Sequence, residues 1–199
     1  MRKIYILLTI ILLNVSLFAQ DDCNRTDNLG RRQGKWIDYY DNGQIRCVGK
    51  FKDNEPIDEF LFYSDKGILI AKGEYLNKKK HNQWEYYSEN DGSVILRENY
   101  NNGILEGKTI AYSAVTHKIV EETEYVDGIR NGECNQYYDN GKLMIKMNYK
   151  NDKLDGLYVS YYPNGAKKDE GNYKDGNKIG EWKTYDTEEN VISIDIYGL

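Results

Sequence analysis

Residues 161–176 read Tyr-Tyr-Pro-Asn-Gly-Ala-Lys-Lys-Asp-Glu-Gly-Asn-Tyr-Lys-Asp-Gly. Tyr161 and Tyr173 each lie in a short segment that favours a β-strand, because aromatic residues are enriched in strands. Asn164-Gly165 separates the two segments, and Asp175-Gly176 follows the second. Asn-Gly and Asp-Gly provide the positive φ angles of tight hairpin turns. These residues therefore predict a β-hairpin followed by a second turn.

Two aromatic columns with seven members each run through the chain in matched register. Successive members are 24 or 25 residues apart. That period fits two short strands and two turns, and it is shorter than helical-pair repeats of about 33 residues or more. The sequence therefore predicts an all-β fold, an elongated antiparallel β-meander of about seven stacked β-hairpins. The first column is Tyr39, Tyr63, Tyr87, Tyr112, Tyr137, Tyr161 and Tyr185, and the second is Phe51, Tyr75, Tyr100, Tyr125, Tyr149, Tyr173 and Tyr197.

The spacing also predicts two kinds of turn in each repeat. After the first column comes a tight turn such as Asn42-Gly43, and two repeats depart from this pattern with Thr116-His117 and Glu189-Asn190. After the second column comes a six-residue connection, for example from Asp127 to Gly132. Each unit is thus predicted to be a strand, a tight turn, a strand and a longer turn.

The second strand of each repeat predicts which face of the sheet is covered, since alternate side chains of a strand point to opposite faces. The residue directly before the column aromatic is mostly polar, as with Lys50, Glu74 and Asn172. This alternation predicts one face with aliphatic and aromatic ladders and one wet face. Counting back six residues from the second column reaches Ile45, Leu69, Val94, Ile119, Leu143, Lys167 and Val191, of which six are apolar.

The first 19 residues have the layout of a secretory signal peptide. Arg2 and Lys3 form a basic start, residues 4–13 are almost wholly apolar, and small and polar residues lead to Ala19. A membrane anchor is the competing interpretation, but a spanning helix needs about 20 apolar residues. We predict a signal peptide at 1–19, an N-terminal leader at 20–33 and a repeat domain at 34–199. The mature chain is then expected to be periplasmic, on the cell surface or secreted, with no integral membrane span.

Charge and cysteine content make several function classes poor candidates. The chain has 27 basic and 32 acidic residues, a net charge of −5, and loss of Arg2 and Lys3 with the signal peptide gives −7. Without a basic excess to attract phosphates, we expect no nucleic-acid partner. The three cysteines lack the close spacing of zinc sites. Cys47 and Cys134 lie four repeats apart, too far for a disulfide, whereas Cys23 could reach Cys47.

No catalytic motif is present in the sequence. It contains no Gly-x-Ser-x-Gly elbow and no phosphate loop. His81 and His117, its two histidines, fall in predicted turns. Carboxylates are plentiful, but a catalytic pair requires burial that shifts one pKa. We therefore predict a non-enzymatic chain with no catalytic, cofactor-binding or metal-binding residues.

An aromatic line lies three residues before the first column and is one candidate for partner binding. Strand alternation places this line on the face opposite Tyr39 and its equivalents. Aromatic residues dominate binding hot spots, so the line is a candidate recognition surface, whereas the Tyr39 column is interpreted as a structural ladder of stacked rings. The aromatic line consists of Trp36, Phe60, Trp84, Tyr158 and Trp182.

The last strand provides a second candidate, because its otherwise polar face carries three isoleucines. The corresponding residues one repeat earlier are polar. An exposed apolar edge strand invites pairing with another chain. We predict that a homodimer partner or a ligand protein covers this strand, and a modest apolar terminal cap is the alternative. The residues are Ile192, Ile194 and Ile196.

Several motifs resemble the MORN-repeat variant, which in bacteria is typical of YwqK-type antitoxins. They are Gly180-Glu181-Trp182, the Tyr-Tyr-x-Asn-Gly of 137–141 and 161–165, and Tyr173-Lys174-Asp175-Gly176. The resemblance implies an elongated, twisted β-meander with roles in protein association, and it carries no catalytic residues. Repeats two to four depart most from the pattern: Asp58-Glu59-Phe60 and Asn82-Gln83-Trp84 lack the leading Gly, and Thr109 replaces the aromatic in repeat four.

The sequence thus favours an exported, non-enzymatic repeat protein that mediates protein–protein interaction. The family resemblance implies a toxin-neutralising role, antitoxin-like or immunity-like. Two alternatives stay open: a self-associating envelope scaffold, and a module that binds cell wall or other carbohydrate through the aromatic line. Fold analogy does not name the partner.

Overall fold

The computed structural model describes residues 22–198, and the predicted signal peptide at 1–19 lies outside this part of the chain. The described residues form one open antiparallel sheet of 17 strands. The strands are β1 (Arg25–Thr26), β2 (Arg32–Tyr39), β3 (Ile45–Lys52), β4 (Glu55–Tyr63), β5 (Leu69–Leu76), β6 (Lys79–Tyr87), β7 (Val94–Asn101), β8 (Ile104–Leu105), β9 (Gly107–Tyr112), β10 (Ile119–Val126), β11 (Ile129–Tyr137), β12 (Leu143–Lys150), β13 (Lys153–Leu154), β14 (Gly156–Tyr161), β15 (Lys167–Lys174), β16 (Asn177–Tyr185) and β17 (Val191–Tyr197).

The strands pair with their neighbours in chain order, so the sheet is a meander. The short strands β8 and β13 pair with the end of the preceding hairpin, on β7 and β12. The predicted all-β meander of about seven hairpin repeats is therefore confirmed. Hairpins one to seven are β2–β3, β4–β5, β6–β7, β9–β10, β11–β12, β14–β15 and β16–β17.

The connections between hairpins are tighter than the sequence spacing predicts. Each is a two-residue turn in which both residues have positive φ, as at Asp53 (53°) and Asn54 (68°). Lys52 and Glu55, on either side of that turn, are already paired across the sheet. Two successive positive φ angles are the mark of a type I′ turn, whose twist matches that of the strands. The predicted six-residue connection is wrong because most of its residues belong to strands.

The turns within hairpins are the longer ones, so the predicted order of tight and longer turns is reversed. The Tyr40 N–H donates to the Gln44 carbonyl at 2.8 Å, and the Gly43 N–H donates to the Tyr40 carbonyl at 2.9 Å. Gly43 takes the positive φ, 83°. These bonds define a three-residue loop, 41–43, whose last residue has the left-handed conformation.

Side chains in several of these longer turns connect one hairpin to the next. The Asn42 amide donates to the Asp65 carbonyl at 2.8 Å, 23 residues further along the chain. The Tyr40 hydroxyl donates to the Tyr63 carbonyl at 2.9 Å. Tyr138 and Tyr162 repeat the tyrosine bond in hairpins five and six. The turns therefore stack in register on the side of the sheet where the two strands of each hairpin are joined.

His117 and Glu189 occupy the glycine position of the longer turn in hairpins four and seven, with φ of 56° and 66°. A left-handed backbone costs a side-chain-bearing residue roughly 1–2 kcal/mol. We expect His117→Gly to raise the free energy of unfolding by about 0.5–1 kcal/mol, since glycine adopts this backbone without strain. The increase is smaller than the full backbone cost because the variant loses the exposed bond between His117 and Asp91 (2.7 Å). Denaturant unfolding followed by tryptophan fluorescence measures the change. Gly92→His, the reverse change one hairpin earlier, should lower the midpoint, and equal signs for the two variants would contradict the argument.

A β-bulge in each hairpin changes which residues share a face. In hairpin one, Asp38 pairs with Cys47 but Tyr39 pairs with Ile45, so Arg46 is an extra residue. Directly opposed residues share a face, and adjacent residues do not. Ile45 and Tyr39 thus lie on one face while Cys47 and Phe51 lie on the other. The prediction that the aliphatic column shares a face with the second aromatic column is wrong, since counting in steps of two fails across the bulge.

The main core lies on the face that carries the Phe51 column, here called the aromatic face; the opposite one is the tyrosine face. Rings of the aromatic line alternate with rings of the Phe51 column in edge-to-face contacts. Phe60 is 5.4 Å from Phe51 and 5.0 Å from Tyr75, and Trp84 is 5.2 Å from Tyr75. Such pairs stabilise by about 0.5–1.5 kcal/mol each beyond their burial. The rings therefore connect hairpins one to three, and a second set of rings connects hairpins six and seven.

Glycines opposite the aromatic line make room for its rings. A Cβ at Gly49 would overlap the ring of Phe60, and a Cβ at Gly73 or Gly171 would overlap the indole of Trp84 or Trp182. Where the line lacks a ring, the opposing residue is larger: Thr123 pairs with Cys134. Large and small residues thus complement each other between hairpins.

Candidate functional site

The aromatic line is buried, which corrects its interpretation as an exposed recognition surface for three of its five members. Phe60, Trp84 and Trp182 are only 4%, 2% and 5% exposed, whereas Trp36 and Tyr158 are half-buried. The physical reason is that the line shares its face with the Phe51 column, and rings from both sets fill the space between hairpins. A role of Trp36 and Tyr158 in partner binding stays a prediction.

The Tyr39 column lies on the tyrosine face and is not a ladder of stacked rings. Its hydroxyls meet charged groups instead: Tyr87 donates to Glu85 at 2.7 Å, and Tyr137 donates to Glu122 at 2.8 Å. The ring-to-ring contacts predicted for this column are found between the aromatic line and the Phe51 column.

Cationic side chains at one repeat position cover rings on the aromatic face. The Arg32 guanidinium lies 3.8 Å from the Phe51 ring centroid, Lys80 Nζ lies 4.5 Å from that of Trp84, and Lys178 Nζ lies 4.0 Å from that of Trp182. Burial lowers the pKa of Lys80. These cations stabilise the rings beneath them by cation–π attraction, about 0.5–2 kcal/mol each.

The aromatic-face positions nearest the longer turns, here called the turn-side row, differ between the two halves of the sheet. In hairpins five to seven most of these side chains are polar and bonded to one another. Asp169 accepts from Ser160 at 2.8 Å and from Thr184 at 3.0 Å, and Gln136 donates to Glu121 of hairpin four at 2.9 Å. In hairpins one to three the row is mostly apolar instead, and its charged member is Asp38, which pairs with Cys47. The apolar members are Cys47, Phe62, Ala71, Tyr86 and Leu96.

A cavity of about 390 Å³ opens where this apolar row meets the core of hairpins one and two. Its walls come from both hairpins, and Phe60 is the single member of the predicted aromatic line among them. Sequence reasoning missed the cavity, although comparing residue types at one position across the aligned repeats would have shown the apolar half. The lining residues are Arg32, Asp38, Arg46, Cys47, Phe51, Pro56, Phe60, Phe62 and Tyr75.

Two guanidinium groups and one carboxylate line the cavity. Asp38 accepts from Trp36 Nε1 at 3.1 Å and from Arg46 at 3.3 Å, and the Cys47 thiol approaches it at 3.8 Å. Burial, and then the negative charge of Asp38, raise the pKa of Cys47, so its thiol stays protonated at neutral pH. Arg32 forms no ion pair with a carboxylate in residues 22–198. The cavity therefore combines apolar walls with one uncompensated positive charge.

Strand β17 presents the isoleucines that the sequence singles out. Ile192, Ile194 and Ile196 are 61%, 53% and 74% exposed. Ile194 and Ile196 share the tyrosine face, but Ile192 is the extra residue of the bulge between β16 and β17. The expectation that one face of the strand carries all three isoleucines is therefore wrong for Ile192.

The two edges of the sheet differ. At the first edge, β1 pairs with β2, and the Asn24 side chain donates to the Ile37 carbonyl at 2.9 Å and accepts from the Ile37 N–H at 2.6 Å. Among residues 22–198, β17 pairs with β16 alone. The β17 edge thus keeps a row of backbone donors and acceptors free for another strand.

Three further expectations from the sequence concern metal binding, a disulfide bridge and a membrane-spanning helix. Within residues 22–198 no cluster of His, Cys, Asp and Glu is arranged to hold a metal ion. Cys23, Cys47 and Cys134 are free thiols, so the considered bridge between Cys23 and Cys47 is not formed. No helix in the described part of the chain is long and apolar enough to cross a membrane.

Comparison with known proteins connects this repeat to a family. The family model described as MORN repeat variant matches residues 32–53, 130–151 and 154–175. The three segments coincide with hairpins one, five and six. No curated protein matches the chain. MORN repeats are often protein–protein interaction modules and are generally non-enzymatic, and three segments of this chain are similar to them.

Proposed function

We propose that the chain is an exported, non-catalytic module that binds another protein through strand β17. The observation that carries the proposal is an edge strand whose isoleucines 192, 194 and 196 are more than half exposed. Large exposed apolar side chains favour association because their burial removes apolar surface from water. Edge strands also accept a further strand by backbone pairing, a common mode of peptide and protein recognition.

Export and toxin neutralisation are the finer parts of the proposal. The basic start and apolar run of residues 1–19 support export. Similarity to the MORN repeat variant supports protein association, and the resemblance to YwqK-type antitoxins suggests that the partner is a toxin. An exported chain would neutralise such a toxin outside the cytoplasm, in an immunity-like role.

A self-associating envelope scaffold is the second candidate, and the same free edge favours it, because β17 of a second copy supplies a matching strand. The third hypothesis, carbohydrate binding through the aromatic line, loses the support of three of its five residues. Sugar rings stack on exposed aromatic faces, whereas Phe60, Trp84 and Trp182 are buried.

Ile194→Lys tests the docking edge. The Ile194 side chain is exposed, so we expect the variant to fold. The new lysine lies opposite Lys183, and a lysine on an edge strand opposes pairing with another strand. We therefore expect association to weaken at least tenfold. Capture of partners from an envelope extract and sedimentation of the purified chain measure the two kinds of association. Val115→Lys, in an exposed turn, is the matched control. Unchanged capture and unchanged sedimentation for Ile194→Lys would contradict the proposal.

A further inference from the structure

We infer that the cavity of hairpins one and two binds a peptide segment that presents a large apolar side chain next to a carboxylate. This site is separate from β17 and does not depend on the function proposed for that strand. The inference rests on three features of the described residues: the apolar walls, an uncompensated guanidinium, and the contrast with the other half of the sheet.

The walls accept one large side chain. Phe51, Phe60, Phe62 and Tyr75 supply aromatic surface on several sides, and the volume of about 390 Å³ falls within the range of ligand cavities. Ring contacts hold the walls in place, since Phe60 lies 6.0 Å from Phe62 and 5.0 Å from Tyr75. A phenyl or branched aliphatic group would displace water from this surface without moving the sheet.

The charges at the rim select an acidic neighbour for that side chain. Asp38 is occupied by Arg46 and by the Trp36 indole, whereas the Arg32 guanidinium lies over the rings of Phe51 and Trp36 and has no carboxylate partner among the described residues. A guanidinium next to an apolar surface pairs well with a carboxylate, because the bond is charge-assisted and can be bidentate. The same guanidinium disfavours a lysine beside the entering side chain.

The fold does not require these apolar residues. Ser160 and Thr184 stand at the Phe62 position in hairpins six and seven, and Asp169 stands at the Cys47 position. Their hydroxyl and carboxylate groups are satisfied by one another. Apolar walls with a few polar groups at the rim are the usual form of a ligand cavity, so we assign this difference between the two halves to binding.

Titration of the full-length mature chain with short peptides tests the inference. The probes are acetyl-Gly-Asp-Phe-Gly-amide and two analogues, one with Asn for Asp and one with Ala for Phe. We expect the first probe to shift the backbone NMR signals of Cys47 and Phe62, the Asn probe to bind on the order of tenfold more weakly, and the Ala probe to give no saturable shift. Arg32→Gln should bring the Asp and Asn probes to nearly equal affinity.

Lys178→Gln is the matched control, because Lys178 holds the same repeat position over Trp182 but does not line this cavity. It should lose a similar amount of stability and keep the tenfold preference. Ile194→Lys should also keep the preference, which separates this site from the β17 edge. Equal binding of the Asp and Asn probes to the wild-type chain, or shifts that map away from hairpins one and two, would overturn the inference.

Discussion

Gly73→Thr is expected to destabilise the sheet by about 3 kcal/mol or more, the largest effect of any single change considered. A Cβ at position 73 would overlap the indole of Trp84, which is 2% exposed and bonded through Nε1 to the Glu74 carbonyl at 3.1 Å. The ring has no free space to enter, so either the strands or the indole must move. Urea unfolding followed by circular dichroism measures the loss.

The chain itself indicates how to rescue this variant. Thr123 and Cys134 occupy the equivalent positions between hairpins four and five, with the hydroxyl and sulfur 3.2 Å apart. We expect the double variant Gly73→Thr with Trp84→Cys to have a free energy of unfolding about 2 kcal/mol higher than the summed losses of the two single variants predict. Gly198→Thr is the control, since a Cβ there meets no atom within 4 Å. Strict additivity of the two changes would show that ring overlap is not the cause.

The sequence predicts the architecture because its signals are local and repeated. The Tyr39 and Phe51 columns define the period, and Asn-Gly and Asp-Gly mark the turns, so seven hairpins follow without knowledge of their packing. The exact turn types do not follow. Asp53-Asn54 contains no glycine, yet both residues have positive φ, and only the pairing of Lys52 with Glu55 reveals how short that loop is.

Faces of the sheet are harder to predict than strands. One extra residue, such as Arg46, reverses the alternation for everything beyond it. That reversal separates Ile45 from Phe51 and places Trp84 in the core. The sequence contains a second clue, because Gly73 leaves room for the indole of Trp84, whereas Thr123 pairs with the small Cys134. This clue can be recognised only once the strand register is known.

The candidate sites illustrate the same limit. The sequence predicts that Ile194 is exposed, because the equivalent residues in earlier repeats are polar. Such a comparison between repeats requires no knowledge of the strand register. The cavity depends on residues from four strands, including Arg32, Cys47 and Phe62, that come together only in the folded sheet. Differences between equivalent positions are therefore the most informative signal in this chain, and the periodic residues mainly explain its fold.

Glu85→Gln should produce the second large effect, and a pH dependence identifies its cause. On the tyrosine face, Glu85 accepts from Tyr87 at 2.7 Å and from Arg97 at 2.8 Å, and it pairs with Lys72 at 2.9 Å. Burial alone would raise the pKa of Glu85, but these three partners outweigh it and lower the pKa to about 2. Removing the charge leaves two cations facing a neutral amide, at a cost of about 2 kcal/mol at pH 7.

The sign of the pH effect follows from the lowered pKa. A carboxylate that is harder to protonate in the folded state stabilises it above its unfolded pKa of about 4.5, and that contribution is lost as the pH falls toward 2. The stability difference between wild type and Glu85→Gln should therefore be largest near pH 7 and shrink between pH 4.5 and 2. Guanidinium unfolding midpoints at a series of pH values measure it. Glu89→Gln, which removes an exposed carboxylate 3.7 Å from Lys66, should change little at any pH. A difference for Glu85→Gln that stayed constant down to pH 2 would mean that the side chain acts through packing and not through its charge.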